Sequence, residues 1–244
     1  IHPPLGKLLI ALYAYMVGYD GKINFKGNEY PNLFYFSLRQ VPSTFSALLP
    51  PVSFISLRFF GFSSSASILI AFYLTVESML IVESHLILVD GILHSFVVLT
   101  ILGVSLLEID QYSRFAIIFT ILMAGATFSV KYTGMSILVF IGMHQLIYFS
   151  KSSFRHLFNL DNSIKRKFDI PLVRLIIRMM IIITFSFLVM YLTFVIHIII
   201  LPYHGPGDSF MPRAFTSTLL SKGISTNSSV RTCCMPMHQR VFTL

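Results

Sequence analysis

Charged residues are scarce in this chain. Asp, Glu, Lys and Arg together make up 11% of its 244 residues, well below the share of about a quarter that soluble globular domains contain. So low a charge content excludes an ordinary water-soluble domain, whose surface needs many more ionised side chains. The chain is therefore predicted to be an integral membrane protein.

Tryptophan is absent and cysteine nearly so. The two cysteines, Cys233 and Cys234, are adjacent, and neighbouring cysteines rarely bridge each other or provide the ligand spacing of a zinc site. Because the eight histidines are scattered, neither a metal centre nor a protein-bound cofactor is predicted. The formal net charge is +8, but no basic motif with interleaved aromatic residues accompanies it, so nucleic acid is not predicted as a partner.

Apolar residues are abundant, at 55% of the chain with a mean hydropathy of +0.77. They form long runs without the alternation of a membrane barrel, so the spans are predicted to be helices. The expected fold class is an all-α integral membrane protein with a polytopic helical bundle at residues 41–201. About six spans are expected from the length needed to cross a bilayer. They are residues 41–60, 66–82 and 86–107, then two spans within 115–149 that are separated by a turn at Lys131, and finally 179–201.

Two of these spans contain residues that apolar helices usually avoid. Pro50 and Pro51 are expected to kink the first span, because proline removes a backbone donor and clashes with the preceding turn. Glu77 lies inside the second span, where pairing with a basic neighbour is its ordinary explanation.

The first 40 residues are predicted to form an interfacial helix and a loop. Pro3 and Pro4 can begin a helix that ends at Gly18, with His2 and Lys7 at its start. This helix is too short to span a membrane and has the character of an interfacial amphipathic helix. Residues 19–38 are polar and rich in turn residues, so a surface loop is expected there.

Basic residues set the expected topology. Residues 150–178 form the only strongly basic segment and lie between two predicted spans, which makes this loop cytoplasmic by the positive-inside rule. Counting spans back from it places Arg58 and Arg114 on the cytoplasmic side. The first 40 residues, the turn at Lys131 and the tail at 202–244 then lie on the opposite side.

Eight polar residues from separate segments share this opposite side. Each has an ordinary explanation alone: Arg39 or Lys131 as a snorkelling anchor, and Asp90 as a helix N-cap. Together they resemble a site for a lipid-borne phosphate and a hydroxyl acceptor, because guanidinium and ammonium groups bind phosphate and carboxylates can orient a hydroxyl. The eight are His2, Lys7, Arg39, Glu77, Glu83, His85, Asp90 and Lys131.

Five sequence blocks, in order, resemble those of the protein O-mannosyltransferases. These are dolichyl-phosphate-mannose-dependent enzymes of the endoplasmic reticulum with a GT-C fold. The blocks are HPPLGK at 2–7, LR at 38–39 with STFSAL at 43–48, ESHLILVD at 83–90, SVKYTG at 129–134 and YHGPGDSFM at 203–211. Any one of these blocks would be weak evidence, but five in the same order make a specific match.

The resemblance implies a multi-pass protein of the endoplasmic reticulum membrane that transfers mannose from dolichyl phosphate mannose to Ser or Thr hydroxyls of secretory proteins. Arg39 then corresponds to the arginine that holds the donor phosphate, and Lys131 adds charge there. His2 and Lys7 line the mouth of the active site, while Glu83, His85 and Asp90 are supporting polar residues. The lipid-linked donor is a substrate, and a homologous subunit is a possible dimer partner.

Several departures from the family pattern are expected to matter. The family's catalytic Asp-Glu pair precedes the HPPLGK block, so the catalytic residues are not assigned within this chain. The luminal repeat domain that should follow the GPGDSF block is also missing, and the luminal tail is atypical after residue 224. His85 stands where the family usually has arginine. The chain is thus expected to be a fragment of such an enzyme.

Three alternatives remain open from the sequence. The first is a lipid-binding or transporter-like membrane subunit, although the internal repeats typical of transporters are not found. The second is an inactive truncated homologue. The third is another GT-C glycosyltransferase with a different acceptor, since acceptor choice depends largely on luminal parts outside the chain.

Overall fold

A computed structural model describes residues 3–19, 33–111, 113–158 and 169–200. The described chain is helical and contains no strand. Its helices are α1 (Leu5–Met16), α2 (Leu33–Ala47), α3 (Leu49–Phe59), α4 (Ser64–Val76), α5 (Ser78–Ser84), α6 (Asp90–Ile109), α7 (Arg114–Val130), α8 (Ser136–Phe158) and α9 (Asp169–Ile200).

The first helix begins and ends where the sequence predicts. Pro4 is its N-cap, and the helix stops at Met16 before Gly18, whose φ of 74° is a left-handed conformation that glycine adopts without strain. Ile10, Ala11 and Ala14 are buried against α2, α6 and α7. The inner face of α1 is therefore part of the protein core. Its position at a membrane interface stays a prediction.

The helix after α1 begins earlier than the sequence predicts. α2 begins at Leu33, so the prediction of a loop as far as Leu38 is wrong for residues 33–38. Leu38 is fully buried, and so is Tyr19 at the start of the predicted loop. Both side chains belong to the apolar cluster around α1, and burial of these large side chains outweighs the polar character of the segment.

The first predicted span is broken at a different place from the expected kink. α2 ends at Ala47 and α3 begins at Leu49, so the break lies at Leu48, before Pro50 and Pro51. The two prolines occupy the first turn of α3, where the missing N–H groups would have no intrahelical acceptor. They therefore begin a helix instead of kinking one.

Glu77 also acts differently from the prediction. It stands between α4 and α5, which are bent by 54° at this point. Its carboxylate accepts a hydrogen bond from the Leu80 backbone N–H at 2.8 Å, so it is the N-cap of α5. The expectation of an ion pair inside a continuous span is wrong, because the carboxylate is satisfied by the backbone donors that a helix start leaves free.

By length and composition, three described helical segments could cross a membrane. They are Asp90–Ile109, Tyr132–Ser150 and Leu175–Ile200, and the bent pair of α4 and α5 makes up to four. α7 is shorter, and every residue from Ala124 to Val130 is buried, because α7 lies at the centre of the bundle between α6 and α9. α8 extends to Phe158 and α9 begins at Asp169, so the prediction of a loop at 150–178 is wrong for residues 150–158 and 169–178, which are helical. The total of about six spans stays a prediction.

Small residues allow α7 to approach its neighbours. A Cβ atom on Gly103 of α6 would lie 2.6 Å from the Thr120 hydroxyl oxygen, and one on Gly125 would lie 2.6 Å from Cβ of Val189 in α9. Hydroxyl groups between α6 and α7 bond to the preceding turn or to each other, as between Thr100 and Thr127 at 3.2 Å. This packing fixes the position of both ends of α7.

Candidate functional site

The centre of the candidate site is an ion pair between two helix ends. The ammonium of Lys131 donates to Oδ1 of Asp90 at 2.8 Å. Lys131 directly follows α7 in an extended conformation, at the turn that the sequence predicts, and Asp90 is the first residue of α6. Val89 is the N-cap, so Asp90 is not the cap that its ordinary explanation assumed. Both side chains are partly exposed, at 31% and 24%.

Helix α1 brings Lys7 to the same place. A Cβ atom on Gly6 would lie 2.9 Å from Cγ1 of Val89 and 3.1 Å from Cγ1 of Val130. These two valines directly precede Asp90 and Lys131. Because Gly6 has no side chain, the first turn of α1 packs directly against the ends of α6 and α7. Lys7, the next residue, is exposed beside them.

A second pair lies one helical turn along α6. Nδ1 of His94 is 3.5 Å from Oε2 of Glu83 at the end of α5. Glu83 is thus placed near Asp90, as the sequence predicts, but His94 is a partner that sequence reasoning missed. Its spacing of four residues from Asp90 puts both on one helix face, and this spacing was a usable signal. We call Lys7, Glu83, Asp90, His94 and Lys131 the lysine end of the bundle.

His85 is exposed at the end of α5. Its Nδ1 lies 2.7 Å from the Ile81 carbonyl oxygen and 3.2 Å from the Ser84 hydroxyl. The hydroxyl of Ser43 in α2 donates to the Ser84 carbonyl at 2.5 Å, which fastens this turn to α2. His85 therefore contacts the end of its own helix, at the edge of the lysine end.

Arg39 projects from α2 between two buried residues, Leu38 and Val41. The carbon of its guanidinium lies 5.5 Å from the centroid of the Tyr35 ring, a cation–π arrangement. Further along α2, Pro42 packs against α6, because a Cβ atom on Gly91 of α6 would lie 3.0 Å from the Pro42 carbonyl oxygen. Arg39 precedes Pro42 by about one turn, so it lies level with the segment before α6, beside the lysine end.

Several predicted features lie outside the described residues. They are His2, residues 20–32 of the predicted loop after α1, residues 159–168 of the predicted basic loop, and the tail at 202–244 with the block at 203–211. Within the described ranges, no group of three or more His, Cys, Asp or Glu side chains lies close enough to hold a metal ion. The site therefore consists of cations, carboxylates and imidazoles.

Another polar cluster lies at the far end of α6. Nε2 of His144 in α8 is 3.1 Å from Oε2 of Glu108, and its ring packs against Phe60 with centroids 5.6 Å apart. Nη1 of Arg178 in α9 donates to Oε1 of Gln111 and lies 3.4 Å from Oε1 of Gln145. We call this cluster the amide end, and it consists of Glu108, Gln111, His144, Gln145 and Arg178.

The family model described as "Dolichyl-phosphate-mannose-protein mannosyltransferase" matches residues 1–202. Dolichyl-phosphate-mannose--protein mannosyltransferase 6 of Saccharomyces cerevisiae is 34% identical over 86% of the chain, which covers 28% of that protein. Protein O-mannosyl-transferase 2 of Danio rerio is 28% identical over 93% of the chain, which covers 30% of that protein. The chain thus spans less than a third of the length of these curated relatives.

A solved structure confirms the predicted fold. The S. cerevisiae protein O-mannosyltransferase Pmt1-Pmt2 complex bound to the sugar donor matches with a TM-score of 0.75 at 22% identity. The match covers 92% of this chain and 30% of the yeast chain. The all-α membrane bundle of GT-C type is therefore the fold of the described residues.

Proposed function

We propose, since the chain belongs to the dolichyl-phosphate-mannose-protein mannosyltransferase family, that it forms the donor-binding part of the membrane core of such an enzyme. The reaction is transfer of mannose from dolichyl phosphate mannose to Ser or Thr hydroxyls of secretory proteins. The observation that carries this proposal is the Asp90–Lys131 ion pair, whose Nζ and Oδ1 atoms lie 2.8 Å apart, next to the first turn of α1, which carries Lys7. Three separate helices contribute these residues.

Phosphate stabilisation is the chemistry that this arrangement supports. When mannose leaves the donor, negative charge develops on the phosphate, and fixed cations at that position lower the barrier. Arg39 is proposed to hold the phosphate with its planar guanidinium, while Lys131 and Lys7 add ammonium charges. Asp90 keeps the ammonium of Lys131 in place from the first turn of α6, where a carboxylate also interacts favourably with the helix dipole.

The remaining roles follow the family resemblance. His2 and Lys7 are proposed to line the active-site mouth, with Glu83 and His85 as supporting polar groups. The general base is expected to be the Asp-Glu pair that precedes the HPPLGK block in the family, so no residue of this chain is assigned to it. No metal or other cofactor takes part in the proposed reaction, and the lipid-linked donor is a substrate.

The proposed setting is the endoplasmic reticulum membrane, with the lysine end towards the lumen. The basic segment at residues 150–178, which includes the end of α8 and the start of α9, then faces the cytoplasm, in agreement with its basic composition. We also propose that a homologous subunit is the partner, because the structurally similar yeast protein is a complex of two such chains. Secretory proteins with accessible Ser or Thr residues are the proposed acceptors.

The test is a transfer assay on the full-length protein in proteoliposomes, with dolichyl phosphate mannose and a Ser/Thr-rich peptide. Arg39→Ala should abolish transfer and leave expression intact. Arg58→Ala is the matched control, because this arginine also lies near a helix end and its guanidinium donates to the Phe62 carbonyl at 2.5 Å. The control should retain transfer.

The assay separates the alternatives. Unchanged transfer by Arg39→Ala would remove Arg39 from the phosphate role. A wild-type protein that binds dolichyl phosphate but transfers no mannose would instead be a lipid-binding subunit or an inactive homologue. Transfer to a different class of acceptor would favour another glycosyltransferase of the same fold.

A further inference from the structure

A histidine on α9 lies beside the lysine end and has no role in the function described above. The position of this residue, His197, follows from the packing of α9 against α7. The hydroxyl of Ser186 donates to the Ile121 carbonyl at 3.1 Å. Three residues later, Val189 packs against Gly125, where a Cβ atom would lie 2.6 Å from Cβ of Val189. The two helices thus run side by side in the same direction.

This register places His197 level with the ion pair. His197 follows Val189 by eight residues, a helical rise of about 12 Å, and Lys131 follows Gly125 by six residues, about 9 Å. The two side chains therefore belong to the same end of the bundle. The ammonium of Lys7 is also close enough for an electrostatic interaction with the His197 imidazole.

The imidazole has a buried nitrogen that lacks a partner. Nδ1 of His197 is inaccessible to solvent and makes no hydrogen bond within the described part of the chain. Buried polar atoms are nearly always hydrogen-bonded in native proteins, so such an atom indicates a missing ligand or water. Because Lys7 interacts with this ring and Lys131 lies at its level, the chemistry best suited to the position is an anion with oxygen acceptors.

We propose that Nδ1–H of His197 donates a hydrogen bond to a phosphate oxygen of the lipid-linked donor and of the lipid phosphate left after transfer. The proposal rests on the proposed function and adds a residue to its phosphate site. The imidazole is a fixed donor on α9, whereas Lys7 and Lys131 supply charge from α1 and the end of α7. Such a donor stabilises the phosphate most when the departing sugar leaves it with a second negative charge.

Two isosteric substitutions test the role of the nitrogen. The amide nitrogen of His197→Asn lies near the Nδ1 position, whereas that of His197→Gln extends towards Nε2. In the full-length protein, His197→Asn should keep kcat/KM for dolichyl phosphate mannose within about threefold of wild type. His197→Gln and His197→Ala should lower it by about tenfold or more, as for loss of a charge-assisted hydrogen bond. The KM for the acceptor peptide should not change.

Thr193→Val is the matched control for packing of α9. Thr193 lies one turn before His197 on the same helix face, and its hydroxyl donates only to the Met190 carbonyl of its own helix at 2.7 Å. Thr193→Val should leave kcat/KM for the donor unchanged. A loss as large as that of His197→Ala would mean that the effect arises from helix packing, and would overturn the proposal.

Binding of radiolabelled dolichyl phosphate, with dolichol as the phosphate-free competitor, separates this inference from the proposed function. If wild-type protein transfers mannose and His197→Ala binds dolichyl phosphate equally well, the His197 role is wrong and the proposed function stands. If wild-type protein neither binds dolichyl phosphate nor transfers mannose, both are wrong. Weaker binding by His197→Ala and His197→Gln, but not by His197→Asn, supports the inference.

Discussion

The lysine end and the amide end of the bundle both gather polar side chains, but they satisfy them in different ways. Along α6, Asp90 and Glu108 are separated by about 27 Å of helical rise. At the amide end, Gln111 and Gln145 are 7% and 1% exposed, and both direct their oxygens to the guanidinium of Arg178. At the lysine end, Lys7 is exposed and Lys131 is only partly buried, in contact with Asp90.

The two ends therefore differ in what holds their charged groups, although Nε2 of Gln111 and of Gln145 make no hydrogen bond within the described residues. The guanidinium fixes the orientation of both amides, because an amide nitrogen facing it would place donor against donor. The amide end therefore joins α8, α9 and the α6–α7 connection through contacts among its own members. The lysine end instead presents ammonium groups at the surface, where an external anion can reach them. We expect substitutions at the two ends to affect different measurements.

Among substitutions at the two ends of the bundle, the largest effect is expected for Lys131→Met. Removing the ammonium takes positive charge from the proposed phosphate site and leaves the Asp90 carboxylate without its partner. Transfer by the full-length protein should fall by about 100-fold or more, the usual effect of losing one transition-state contact. The measurement is the initial rate at saturating acceptor. A rate within threefold of wild type would show that the lysine end is not the donor site.

Arg178→Met should have the opposite pattern. It leaves two buried amide oxygens without their donor, and we expect a loss of about 2–3 kcal/mol in the free energy of unfolding. Thermal unfolding in detergent measures this loss, while KM for the donor in the remaining folded protein should not change. A raised donor KM with unchanged stability would mean that the amide end also takes part in substrate binding.

Close packing of α7 against α9 holds the two ends in place. Gly125→Ala puts a methyl group 2.6 Å from Cβ of Val189 and should destabilise the protein by about 1–2 kcal/mol. Gly142→Ala in α8 is the matched control, because its methyl group meets only Cε of Met179 at 3.8 Å. The control should be neutral or stabilising by about 0.5–1 kcal/mol, from helix propensity. Equal stability of the two variants in thermal unfolding would contradict the close contact of α7 with α9.

Sequence reasoning predicted the helical class, the start of α1 and the turn at Lys131, because each depends on local features. Adjacent prolines are suited to the first turn of a helix, and a lysine in a long apolar run favours a break there. It also predicted that Lys7, Asp90 and Lys131 share one side of the bundle. This prediction followed from counting spans, although the bounds of the observed helices differ from those of the predicted spans.

The failures involved residues whose surroundings come from distant segments. The segment after Tyr19 is polar, and burial of Tyr19 and Leu38 against α1 and α6 could not be read from local composition. The partners of the polar side chains could not be read from local composition either. Glu77 accepts a hydrogen bond from a backbone N–H, and Glu83 contacts His94. His197 was missed because its relation to Lys131 depends on the register between α7 and α9.

The smallest effect is expected for Glu83→Gln, which tests whether every charge at the lysine end matters equally. The Glu83–His94 contact is longer than the Asp90–Lys131 contact, 3.5 Å against 2.8 Å, and the His94 side chain is 36% exposed. Partly exposed ion pairs contribute about 0–1 kcal/mol, and Oε2 of Glu83 makes no hydrogen bond within the described residues that the substitution would remove. Transfer and thermal stability should therefore stay close to wild type. If Glu83→Gln instead lowers the transfer rate as much as Lys131→Met does, with no loss of stability, the carboxylate of Glu83 acts directly on the substrate, and the active part of the lysine end extends from the Asp90–Lys131 pair to α5.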